Sequence, residues 1–243
     1  IRPFYGQFKQ AHVPGNKVWS SMKLVIFDCD GVLVNSEAIL IPAELKFLKN
    51  AGLAYERRQY MKDFTGMPYD AWQLKLAAEA EKRLGEPLAE DFFEALNDYI
   101  REQFETGLSV ISGVRETILS LGINRCVASS TGNEGLHWKL GHTGLADLFT
   151  DAVFSGDMVS RGKPEPDLFL HAAKAMDVKP QNCLVVEDSC NGVLAGKAAG
   201  MVVVGFSGGD HCLDDHEADL MQAGADRVID NFANLKPTIA QLI

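Results

Sequence analysis

The chain is short of positive charge and of cysteine, and it has no long apolar run; each shortage removes a class of function. Its 23 Lys and Arg are outnumbered by 33 Asp and Glu, for a formal net charge of −10. That balance argues against a nucleic-acid surface, where basic stripes are expected. It leaves room for a small anionic substrate, because a bound metal and one lysine reverse the field locally. No apolar stretch approaches the length of a membrane span, so no membrane partner is expected. The five cysteines are scattered, odd in number and without a CxxC pair. Cys126 and Cys183 sit inside apolar strand patterns and read as reduced core residues, which points to the cytoplasm. Internal repeats and low-complexity tracts are also missing.

What remains is ordinary for a globular chain: 243 residues, 47% hydrophobic and 23% charged, with room for one core and a smaller appended domain. Residues 1–21 stand apart. They carry Arg2, Lys9 and Lys17 with no acid, and they lack the continuous apolar stretch of a signal peptide. They read as a disordered or non-native leader before Met22, which precedes the first core strand. Residues 37–107 are charge-rich and helical in pattern, with helices expected over Ile39–Leu48, Ala71–Leu84 and Phe92–Phe104. From Leu108 onward, short apolar runs alternate with helical patterns, the mark of a parallel α/β sheet. The expected organisation is therefore a core of residues 22–36 and 108–243, interrupted by a helical insert over 37–107. Within that core, Asp167 is expected to cap one helix and Gly200 to end another.

The chemistry gathers at the ends of the apolar runs. Leu24-Val25-Ile26-Phe27 ends in Asp28-Cys29-Asp30-Gly31. Side chains alternate along a strand, so Asp28 and Asp30 can leave its end toward the same space, and Gly31 permits a sharp turn. Arg125-Cys126-Val127-Ala128 ends in Ser129-Ser130-Thr131. Lys163 follows the run at Val153-Phe154 and precedes a strong helix start. Leu184-Val185-Val186 ends in Glu187-Asp188. Singly, each polar group has an ordinary explanation: the acids and Ser129 as helix caps, Lys163 as a solvated loop residue. Together they fall in the crevice outside the strand ends, where open parallel sheets bind ligands.

This ordered set resembles the haloacid dehalogenase (HAD) superfamily, in particular its sugar-phosphate phosphatase and β-phosphoglucomutase-like subgroup. The likeness runs from Met22 to Ile243 and is closest over Val185 to Met201. It implies an α/β fold with a Rossmann-like parallel sheet and an inserted all-helical cap. It also implies a Mg²⁺-dependent phosphatase acting on a small phosphorylated metabolite, a sugar phosphate or phosphorylated sugar acid, as a monomer. By the same resemblance Asp28 is the nucleophile, forming an aspartyl-phosphate, and Asp30 is the general acid and then base. Ser129 holds phosphoryl oxygens and Lys163 supplies compensating charge. Asp28, the Asp30 carbonyl and Asp188 hold the metal, supported by Glu187. Ser130, Asn133, Ser36, Gly66, Met67 and Tyr69 are the expected substrate contacts, with Asn35 near the hinge and Trp72 as a core aromatic.

Departures from the resemblance bear on which chemistry is expected. Asp30 disfavours dehalogenation, and none of Lys46, Lys49 and Lys62 matches the Schiff-base lysine of the phosphonate-cleaving relatives. A sugar phosphomutase is the rival reading. It usually carries a cap-loop arginine and a cap-helix histidine, where this chain has Thr65-Gly66-Met67-Pro68-Tyr69 and Leu40. An apolar or aromatic residue does not grip a second phosphate as a guanidinium does, so hydrolysis is favoured. A non-catalytic binding module with the same fold is the third reading, disfavoured because every motif residue is retained.

Overall fold

The apolar run Leu24–Phe27 forms β1, the central strand of the computed structural model, which describes residues 22–64, 67 and 69–242. The expected leader, 1–21, and Gly66 lie outside the described residues. After β1 come four helices: α1 (Glu37–Asn50), α2 (Arg57–Phe64), α3 (Tyr69–Leu84) and α4 (Phe92–Gly107). The chain then alternates through α5 (Val114–Leu121), β2 (Asn124–Ser129), α6 (Asn133–His142), α7 (Ala146–Phe149) and β3 (Val153–Ser155). It continues through α8 (Asp167–Ala175), β4 (Cys183–Glu187), α9 (Cys190–Ala198) and β5 (Val202–Phe206). The last elements are α10 (His216–Gln222), β6 (Arg227–Ile229) and α11 (Leu235–Leu242).

Among the described residues, six strands form one parallel sheet in the order β3-β2-β1-β4-β5-β6. The chain moves outward from β1 to β3 and then returns to β4 on the opposite side of β1. That reversal opens a crevice at the carboxyl ends of β1 and β4. Parallel strands are covered on both faces, and their side chains alternate between two layers. Val25, Phe27, Val127 and Val186 pack with α5 and α11 residues such as Ile118 and Ile239. Leu24, Ile26, Cys126 and Val185 pack against α8 and α9 through Phe169 and Val193. Cys126 and Cys183 are buried free thiols, as their place in the strand pattern predicts, and Cys29, Cys190 and Cys212 are free as well.

Helices α1 to α4 bury a third cluster of their own, including Tyr60, Phe64, Trp72 and Leu96. Trp72 is a core aromatic, donating from Nε1 to Tyr60 Oη at 3.3 Å. The helical pattern of the sequence missed α2, whose charged RRQYMKDF run shows only two buried positions. Asp167 proves to be the first residue of α8 rather than its cap, because its carboxylate is taken by Arg161 at 2.9 Å. Gly200 does end α9, in the left-handed conformation at φ +72°.

The insert carries a titratable load. Burial pushes Glu44, on α1, up to about 8, offset in part by the hydrogen bond it accepts from Tyr60 Oη at 2.9 Å. A carboxyl whose folded value lies above its ordinary 4.5 favours folding while protonated. That stability is present below the unfolded value and is lost as pH rises through the folded one. Glu44→Gln keeps an acceptor for Tyr60 and leaves no charge to bury. Thermal unfolding followed by circular dichroism should therefore show the variant gaining several degrees over wild type at about pH 8.5, with little gain at about pH 4.5. An equal difference at both pH values would mean that Glu44 does not titrate as described.

Candidate functional site

Phe27 lies beside Val127 and Val186, so the residue after β1 emerges level with the ends of both neighbouring strands. Asp28 keeps the ladder going, its N–H donating to the Val186 carbonyl at 3.0 Å. The chain then turns: Leu33 and Val34 N–H both donate to the Cys29 carbonyl, and Gly31 takes φ +71°. A side chain at Gly31 would meet Asp188 Oδ2 at 1.9 Å, so this turn is packed directly against the end of β4.

Four buried charges meet there. Lys163 enters from the loop before α8 and donates to Asp28 Oδ1 at 2.7 Å and to Glu187 Oε1 at 2.5 Å. All three side chains are nearly sealed from water, and the ammonium also lies 5.0 Å from the Phe169 ring centre. Glu187 Oε2 accepts from the Ser189 backbone N–H at 2.9 Å and from its hydroxyl at 3.0 Å. Both oxygens of Glu187 are thereby used inside the protein. Burial raises Asp28 well above the usual carboxylate range; Lys163 opposes this, while Glu187 and Asp188 add to it. Burial and then Glu187 raise Asp188 likewise. For Lys163, burial is outweighed by Asp28 and Glu187, and its value rises.

Asp30 sits in a separate cage of donors. Oδ1 accepts from Ser36 Oγ at 2.5 Å and is paired with the Lys139 ammonium; Oδ2 accepts from Thr131 Oγ1 at 2.6 Å and Ser129 Oγ at 3.4 Å. Burial alone would raise this carboxyl, but the charge and hydrogen bond of Lys139, with Ser36 and Thr131, hold it at about 2. Asp188 is gripped from the far side. His211 Nε2 lies 2.9 Å from its Oδ2, and His216 Nε2 lies 2.7 Å from its backbone carbonyl oxygen. A carbonyl only accepts, so His216 carries its proton on Nε2.

The fold brings Asp28, Asp30, Ser129, Lys163, Glu187 and Asp188 together from four separate segments. None of the acids is spent on capping: Ser189 caps α9 by accepting from Gly192 N–H at 3.0 Å, and Ser36 stands at the start of α1. The expected substrate contacts fare differently. Ser36 is wholly buried, and its hydroxyl is committed to Asp30, so it supports the site instead of meeting a ligand. Asn133 is exposed at the start of α6, where its N–H donates to Asp157 Oδ2 at 2.7 Å. Ser130 is exposed beside Ser129. Met67 packs on the insert's own core, and Tyr69 stacks on Trp72 and bonds Asn97. Asn35 donates to Asp210 Oδ2 at 2.5 Å. Sequence reasoning missed Thr131, Lys139, His211 and His216. Lys139 and Thr131 are eight apart across a loop and helix, and no spacing marks them as partners.

The carboxylates of Asp28, Glu187 and Asp188 offer oxygens all within 4.8 Å of one another, each buried. Three acids against one lysine leave negative charge uncompensated, and a hard divalent cation with oxygen preference suits that set.

Comparison with known proteins agrees with this fold. The family model for haloacid dehalogenase-like hydrolases matches residues 22–200. The chain is 32% identical to the 6-phosphogluconate phosphatase of Escherichia coli over 203 residues, covering 83% of this chain and 88% of that one. It is 32% identical to a phosphorylated carbohydrates phosphatase of Thermotoga maritima, over 84% of this chain and 92% of the relative. A HAD family hydrolase from Deinococcus radiodurans, solved with bound phosphate and sodium, superposes with a TM-score of 0.76 at 32% identity. That likeness covers 91% of this chain and 96% of the solved one.

The packing of Gly31 on Asp188 can be isolated from its backbone conformation. Gly31→Ala should cost the roughly 1–2 kcal/mol of a left-handed non-glycine residue plus the displacement of Asp188. Gly122→Ala, at φ +65° with nothing within 4 Å of the added carbon, should cost only the first part. Denaturant midpoints of the two variants measure the difference. Equal losses would mean that Asp188 moves aside freely.

Proposed function

The chain belongs to the haloacid dehalogenase-like hydrolases, and from that membership we propose that it is a Mg²⁺-dependent phosphatase of small phosphorylated sugars or sugar acids. The observation that carries this reading is the buried Asp28–Lys163–Glu187 network beside Asp188, at the reversal point of the sheet. The substrate class is supported by the named activities of the relatives, which act on 6-phosphogluconate and on phosphorylated carbohydrates.

A phosphate monoester resists attack because nucleophile and phosphoryl oxygens are both negative, so the site must neutralise charge and fix an in-line geometry. Mg²⁺, held by Asp28, the Asp30 carbonyl and Asp188, would supply the Lewis acidity for this. Asp28 attacks phosphorus, forming an aspartyl-phosphate and dividing the reaction into two steps. Lys163 orients Asp28 and offsets charge on the transferring group, while Ser129 and neighbouring N–H groups hold its oxygens. Glu187, with both oxygens engaged, keeps Lys163 in place. Asp30 protonates the departing alkoxide and later takes a proton from the attacking water. Held at about 2, it is already the ionised base of the second step. The first step needs its protonated form, so the Lys139 pair must open when substrate enters.

Residues 37–107 serve as a lid that excludes water and selects the substrate. Its two connections to the core are tied together: Asn35 N–H donates to Ser109 at 2.9 Å, and Ile111 N–H to Leu33 at 3.0 Å. Across the cleft, Arg57 Nη2 donates to the His211 carbonyl at 3.2 Å and Arg58 pairs with Asp215 at 2.7 Å.

The test is phosphate release from a panel of phosphorylated sugars and sugar acids, with Mg²⁺ or with EDTA. Release should require Mg²⁺, fall by about a thousandfold or more in Asp28→Asn, and fall by about 10²–10⁴ in Asp30→Asn. Release that survives Asp28→Asn contradicts the mechanism. Conversion of β-glucose 1-phosphate to the 6-phosphate without release would make the chain a mutase.

A further inference from the structure

The loop between β5 and α10 and the first residue of α10 bring His211, Cys212 and His216 close to Asp188. His211, Cys212 and His216 each offer one ligand atom, and these three atoms all lie within 4.8 Å of one another. The separation of His211 Nε2 from Cys212 Sγ is 3.6 Å. Tetrahedral zinc, with bonds of about 2.0–2.1 Å to nitrogen and about 2.3 Å to sulfur, sets its nitrogen and sulfur ligands roughly 3.5–3.6 Å apart. His211 is buried, its Nε2 faces Asp188 Oδ2, and its Nδ1 has no partner among the described residues, so Nδ1 is free to take the ring proton when Nε2 binds a cation. Asp188 Oδ2, 2.9 Å from His211 Nε2, stands ready as a fourth donor. Cys212 is half-exposed, which gives a cation a way in from solvent.

We infer that His211, Cys212 and His216 form a second cation site, for a thiophilic divalent ion such as Zn²⁺, that draws on Asp188 and inhibits the enzyme when filled. The inhibitory half rests on the proposed phosphatase reading, in which Asp188 holds Mg²⁺. The donor set separates the two ions: imidazole and thiolate suit zinc, whereas Asp28, Glu187 and Asp188 offer only hard oxygen. Binding exchanges the Cys212 thiol proton for the metal, and that proton leaves to solvent. Both histidines move their proton to Nδ1, which releases the grip of their Nε2 atoms on Asp188. Two imidazoles, one thiolate and one carboxylate neutralise the dication. Asp188 then faces the second site, and Mg²⁺ loses a ligand.

Co²⁺ is the first probe, because a thiolate bound to it absorbs strongly in the near ultraviolet. Titration of the metal-free protein with Co²⁺ should give this band, saturating at one equivalent and bleached by Zn²⁺. Cys212→Ser should abolish it, while Cys190→Ser, which removes the exposed thiol, should retain it. In parallel, Zn²⁺ should inhibit the Mg²⁺-supported phosphatase. Cys212→Ser should turn over normally without Zn²⁺ and need at least tenfold more Zn²⁺ for half-inhibition. A band that is absent, or that survives Cys212→Ser, overturns the site. Equal Zn²⁺ sensitivity of the two proteins overturns its inhibitory role and puts the inhibition at the carboxylates. If no phosphomonoester is turned over, the phosphatase reading fails, and the Co²⁺ spectrum still decides whether the site exists.

Discussion

The structure is organised around a single electrostatic difficulty, the burial of Asp28, Glu187 and Asp188 within one coordination sphere of each other. Taking three carboxylates out of water is costly, and their mutual repulsion grows as the local dielectric falls. Lys163 answers part of it, bridging Asp28 and Glu187 across the central pair of strands. Ser189 answers another part through Glu187, and His211 and His216 a third through Asp188. The charge left over suits a hard divalent cation, the premise of the proposed phosphatase reading.

Asp30 is managed by different means, although only one residue separates it from Asp28. The turn at Gly31 sends it away from Lys163 into a cage of Lys139, Ser36, Thr131 and Ser129. Two carboxylates on one short motif thus have opposite tendencies: burial holds Asp28 high, and a dedicated ammonium holds Asp30 low. Lys139 also lies 5.4 Å from the ring centre of Phe104 on α4, so the insert touches the residue that sets the state of Asp30.

Much of this was legible in the chain itself. Buried parallel strands need continuous apolar runs, so β1, β4 and β5 stand out, and a polar residue ending such a run has to face the crevice. Lys163 looked like a loop residue in isolation and was legible only as one of a set. Other features left no local trace. The α2 helix buries only Tyr60 and Phe64, too few to impose a period. Ser36 reads as a hinge residue open to ligand, yet it is sealed under the turn it supports. Asp167 has a cap's chemistry, but Arg161 competes for the same carboxylate.

The sequence by itself determined the α/β architecture, the helical insert and the acids, serine and lysine that end the strands. Each of these follows from periodicity or from an apolar run stopping at a polar residue, and both are properties of neighbours in the chain. The partners of those residues were decided by the tertiary structure alone. Lys139 reaches Asp30 across 109 positions, and Lys163 reaches Asp28 across 135. Asn35 meets Asp210 across 175. His211 of the β5–α10 loop and His216 of α10 come to Asp188 only because β5 lies beside β4 in the sheet. Pairings of that kind depend on strand order and loop packing, which set distances in space that spacing along the chain does not encode.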